Sequence, residues 1–128
     1  MKRLSVARLG NAPFVQRWNL LELDAPDGTR DPIVLHSDDG ARAVLIVLQA
    51  GQSLGEHQVK ENAWITVLDG DIEVSAGGDV HTVSQGTMMR FEPDERHALR
   101  TANGARVLIL LAPWPGDGHY RGGDAALR

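Results

Sequence analysis

The 128-residue chain contains no cysteine, so no disulfide can staple it. A chain of this length can bury roughly two-thirds of the surface it exposes when unfolded, so none is required. Long apolar runs are also missing. The longest, Ala43 to Leu48 and Val107 to Ala112, have the length of a strand and fall far short of a membrane span. The basic first residues have no apolar segment behind them, because Arg8, Asn11, Gln16 and Arg17 interrupt the stretch, so no secretory signal is expected. The expected location is the cytoplasm, without membrane contact. Residues 1–21 lack acid altogether: Lys2, Arg3, Arg8 and Arg17 give +4 there. The rest of the chain holds the other 9 of 13 basic residues and all 17 acidic ones, a balance of −8. An acidic body excludes an extended nucleic-acid surface. The basic segment is expected to lie against an acidic neighbour, such as a partner subunit.

What is present reads as β-structure. Ala41 to Ala50 is rich in Val, Ile and Leu, as a buried strand is. Trp64 to Leu68, Ile72 to Val74, Val80 to Val83, Thr87 to Phe91, His97 to Thr101 and Ala105 to Leu111 follow, separated by turn residues. Pro26-Asp-Gly, Asp38-Asp-Gly40, Gly77-Gly78 and Pro93-Asp94 read as turns. Asp69-Gly70 and Asn103-Gly104 read as two-residue hairpins, since such turns need positive φ. Turns this frequent predict a sandwich or barrel and leave no room for a long helix. The boundaries predicted are a loosely ordered arm over 1–12, a barrel domain over 13–112 and an irregular Pro/Gly-rich tail over 113–128, with Trp114 and Tyr120 pinning the tail. The stretch Phe14 to Leu23 is a candidate to add a strand to a neighbour's sheet.

Two segments carry chemistry. The first is Gly51, five residues, His57, then Val59, Glu61, Ala63 and Gly70. The second is Gly86, Pro93, Asp94 and His97. A β-barrel can bring both imidazoles to one interior spot. Alternation places Ala63, Ile65, Val67 and Leu99 on the same interior parity as the two histidines, a mostly apolar pocket of the kind that takes small molecules. Glu61 is expected as a solvated turn charge, with Lys60 able to pair with it. Arg90 is undecided between cavity and solvent. His81 is expected to face solvent, and His36 lies outside the motif positions. Ser53 and Thr66 show no sign of an oriented triad. His119 and Tyr120 on the tail could lid the barrel mouth. Trp18 and Trp64 are candidates for a subunit interface.

These segments resemble the two motifs of the cupin superfamily, G-x5-H-x-H-x3,4-E-x6-G and G-x5-P-x-G-x2-H-x3-N, over about residues 41–112. Gly51, His57, Gly70, Gly86 and His97 fall in register. Pro93 stands one place late, and Asp94 replaces the turn glycine. The resemblance implies an all-β fold, the cupin-type double-stranded β-helix (jelly-roll) barrel of two packed antiparallel sheets. It also implies a homodimer with the ligand site inside the barrel. In metal-binding members, two histidines and a glutamate of the first motif join the histidine of the second. Here Val59 and Ala63 occupy two of those four positions. Two imidazoles leave a transition metal short of the usual three protein ligands.

Two functions follow as expectations. One is a small-molecule-binding cupin with a reduced or absent metal site, its pocket formed by Val59, Ala63, Ile65, Val67 and Leu99. The other is a divalent-metal-dependent enzyme of dioxygenase or isomerase type, holding Zn, Fe, Mn or Ni on His57, His97 and Glu61. A purely structural domain is the third class, favoured by a barrel packed shut.

Overall fold

The computed structural model describes residues 15–24 and 31–117; within that range the side chains of Glu56 and His57 stand outside the description. Among the described residues there is no helix, and eight antiparallel strands account for the regular structure. They are β1 (Ile33–Ser37), β2 (Arg42–Leu48), β3 (Ser53–His57), β4 (Asn62–Ala76), β5 (Asp79–Ser84), β6 (Met88–Phe91), β7 (His97–Arg100) and β8 (Ala105–Ala112). The predicted arm over 1–12, the Pro26 turn, His119 and Tyr120 all lie outside the described residues.

The strands curl into two sheets that share β4. One sheet runs β1-β2-β8-β4-β6, and the other runs β5-β4-β7-β3. The 15-residue β4 pairs β8 and β6 through its first half, then β5 and β7 through its second. Its burial alternates with period two, so Ala63, Ile65, Val67, Ile72 and Val74 are all buried. They meet Val44, Ile46 and Leu48 of β2, Val107 and Ile109 of β8, and Leu99 of β7 in one core between the sheets.

Asp69-Gly70 does not form the hairpin that its sequence predicts. The chain passes straight through it inside β4, and the register with β8 shifts between Val67 and Asp69. Gly70 adopts φ 82° at this corner, and its α-carbon faces the Gly104 carbonyl so closely that a Cβ would stand 2.2 Å from that oxygen. The glycine permits the strand to leave one sheet and enter the other. Asn103-Gly104 is likewise a turn without a hairpin: β7 pairs β3 and β4, whereas β8 pairs β2 and β4, so the turn links two sheets. The buried Thr101 fixes this turn, its hydroxyl donating to Asp71 O at 2.8 Å and accepting from Gly104 N at 3.0 Å.

Residues 15–24 form no strand. They turn at Asn19, whose carbonyl accepts from Glu22 N at 3.1 Å. Arg106 of β8 holds them by donating to Leu20 O at 2.9 Å and Leu23 O at 2.6 Å, and pairs with Asp24. The described part of the Phe14–Leu23 stretch is therefore tied to its own barrel.

Candidate functional site

The two motif segments come together. His57 ends β3, His97 begins β7, and the two are direct register partners across these strands. One turn further out the segments are linked again: Asp94 N donates to Val59 O at 2.7 Å, and Lys60 Nζ lies 2.7 Å from Asp94 Oδ1. Asp94 adopts φ 67°, so the residue that replaces the motif glycine keeps the left-handed turn glycine would supply. Aspartate is among the few side chains that tolerate this region.

His97 is 2% exposed. Its ring stacks on Phe91 with centroids 4.2 Å apart and planes 11° from parallel. Nδ1 lies 3.1 Å from the Glu95 carbonyl, which can only accept, so Nδ1 carries a proton there. Phe91 is the register partner of Ala63, which places the imidazole beside the interior face of β4. From sequence Phe91 is only the end of a strand; its place two residues before Pro93 gave no sign that it backs the histidine.

The residues predicted to line a pocket form one cluster. Ala63, Ile65, Val67 and Leu99 are each 2% exposed or less, and Val59 packs against the same core. Two hollows lie on the other side of the second sheet. The larger, about 620 Å³, is lined by polar groups including Ser53, Asp71, Glu73, Thr82 and Arg100. Arg100 Nε and Nη2 both donate to Glu73 Oε1 there, at 2.8 and 2.6 Å. The smaller, about 240 Å³, is the only one of the two that touches a predicted pocket residue, Leu99.

Glu61 overturns its expectation. It is completely buried, not a solvated turn charge, because it continues the inward parity of Ala63, Ile65 and Val67 by one step. Its Oε2 accepts a hydrogen bond from Gly116 N at 2.7 Å, and Lys60 pairs with Asp94 instead of with it. Arg90 resolves outward, pairing with Glu92 and donating to Asn62 Oδ1 at 3.2 Å. His81 is exposed, and His36 Nε2 meets Asp38 Oδ2 at 2.7 Å on the surface. Asp38 also accepts from the Gly40 and Ala41 amides, and these bonds, His36 first, draw its carboxyl down to about 2. Trp64, partnered by Leu110 and Arg90, alternates with buried Ala63 and Ile65 and so lies on the outer face. Trp114 is 9% exposed and joins the core, with the Arg42 guanidinium 4.8 Å from its ring centroid.

Val59 and Ala63 cannot coordinate, Oε2 of Glu61 accepts from the Gly116 amide, and among the described residues no three His, Asp or Glu side chains come together. The imidazole of His57 lies outside the described side chains.

Comparison with solved structures finds the same fold widely. An RmlC-like cupin protein from Desulfovibrio desulfuricans is 26% identical, with TM-score 0.70 over 78% of this chain and 98% of that one. A conserved protein of unknown function from Streptococcus pyogenes is 19% identical, with TM-score 0.68 over 78% and 89%. A cupin superfamily protein from Desulfitobacterium hafniense is 13% identical, with TM-score 0.68 over 73% and 85%. No curated protein matches. The cupin domain family model matches residues 44–112, more than half of the chain and the stretch that holds both histidine segments. The chain belongs to the cupin superfamily and folds as its double-stranded β-helix.

Proposed function

We propose that this cupin binds a small molecule in the barrel interior, with His97 as the polar anchor and a reduced metal site. The observation that carries the proposal is the buried, stacked imidazole of His97, oriented by Glu95 within an apolar core. A single buried polar ring beside an apolar cluster is the arrangement by which small-molecule sites fix the orientation of a ligand. The ligand class is a small, mostly apolar body carrying one polar group, as phenol does. Titration with phenol, followed through the methyl resonances of Ile65, Val67 and Leu99, tests this. Saturable shifts that disappear in His97→Phe are expected. Unmoved interior methyls at millimolar phenol would refute it and favour a barrel that serves only as a scaffold.

The pairing of His57 with His97 favours a second reading, a divalent-metal-dependent enzyme on His57, His97 and Glu61. In it Glu61 would coordinate through a carboxylate that also accepts from the Gly116 amide. It demands one firmly held cation per chain, which the first reading does not.

The proposal extends to a cytoplasmic homodimer. No helix of the described residues is long and apolar enough to cross a membrane. The outer face of the first sheet carries Trp64 beside Leu110 and near Met88, which are 38% and 64% exposed, where an antiparallel sheet facing water is normally polar. Sedimentation should show a dimer at micromolar concentration. A monomer there would remove this part of the reading.

A further inference from the structure

We propose that residues 113–117 form a strap closing the barrel end beside the two histidine segments, and that Glu61 is its latch instead of a metal ligand. The strap leaves β8 where β4 begins: Ala112 is the register partner of Asn62, whose Nδ2 donates to Ala112 O at 3.4 Å. Trp114 then enters the core and is covered by the Arg42 guanidinium. Two residues on, Gly116 reaches the segment that precedes β4. A Cβ there would stand 2.5 Å from the Lys60 carbonyl oxygen and 2.9 Å from its carbon, so backbone lies directly on backbone. The amide exposed by that close approach donates to Glu61 Oε2.

The contacts meet at one node. Val59 and Lys60 hold the turn before His97 through Asp94, and Lys60 and Glu61 hold the strap. Glu61 is the side chain whose sequence position suggested a ligand, yet its carboxyl serves the closure. A latch that includes the Gly116–Glu61 hydrogen bond and the inserted indole opens separately from the barrel, since neither belongs to a sheet ladder. The inference does not depend on any particular ligand.

Hydrogen exchange of the full chain tests it. In the wild type, the Trp114 and Gly116 amides should exchange through a local opening that barely responds to low urea, while Val67 and Val107 follow global unfolding. In Glu61→Ala, and separately in Gly116→Ala, exchange across the strap should rise about tenfold or more, the factor for one buried hydrogen bond left unmade, with Val67 and Val107 unchanged. One equivalent of Zn²⁺ should leave the strap protected. Strap amides that exchange only with the core in the wild type would overturn the inference, as would strap exchange unaltered by both substitutions. Stoichiometric Zn²⁺ binding that releases the Gly116 amide would overturn it too, by returning Glu61 to the metal.

Discussion

Replacing Gly70 by alanine tests the corner that makes one strand serve two sheets. The backbone sits at φ 82°, where an L side chain costs roughly 1–2 kcal/mol. The new Cβ would also stand 2.2 Å from Gly104 O and 3.0 Å from the α-carbon of Ala105. The Gly104 turn cannot simply retreat, because Thr101 ties it to Asp71 and Gly51 N donates to Thr101 O at 3.0 Å. Relief by displacing packed backbone costs about 1–3 kcal/mol more. The sum is about 2–5 kcal/mol, a large part of the ~5–15 kcal/mol that holds a typical domain together. Gly77→Ala is the control: φ is 60°, but nothing lies within 4 Å of its Cβ, so only the backbone cost applies. Urea unfolding followed by tryptophan fluorescence should show Gly70→Ala lowering the midpoint well beyond Gly77→Ala, at unchanged slope. Equal effects of the two substitutions would refute the close approach as the reason for glycine at 70.

Three further outcomes are expected. At Asp94, glycine should be tolerated within about 1 kcal/mol, since it relieves φ 67° and loses only a largely exposed ion pair, whereas alanine should cost about 1 kcal/mol, both read by urea unfolding. The Asp38 carboxyl titrates at about 2 in the folded chain against 3.8 ordinarily, so its contribution is fully present above 3.8 and is lost as pH falls towards 2. Acid titrations should therefore show a steeper decline in wild type than in Asp38→Asn across that interval. Thr101→Val leaves the Asp71 carbonyl and the Gly104 amide without their side-chain partner, and should lower stability by about 1–3 kcal/mol in thermal unfolding.

The legibility of the chain follows the reach of its signals. β2 and β8 were readable because their apolar runs are long, and the first half of β4 because its apolar residues recur with period two once Trp64 and Thr66 are seen to point outward. β1 and β3 were not, being five residues each and diluted by His36, Ser37, Ser53 and Gly55. Asp69-Gly70 misled for a physical reason: a hairpin turn and a barrel corner both need positive φ, and only the remote Gly104 carbonyl distinguishes them. The register of His57 and His97 was legible from motif spacing, as was the loss of Val59 and Ala63 as ligands. Glu61 was misplaced because Lys60 and Asn62 make its surroundings look solvated. Counting back by twos from Val67 would have put it inside. Its partner Gly116 is 55 positions away, beyond any local signal.

Metal content tests the central claim most directly. The untagged protein, equilibrated in turn with Zn²⁺, Mn²⁺, Fe²⁺ and Ni²⁺ and then dialysed, should retain well under one equivalent of each. One equivalent of any of them per chain, lost in the His57→Ala, His97→Ala double variant, would contradict the reduced site and establish the metal-dependent alternative.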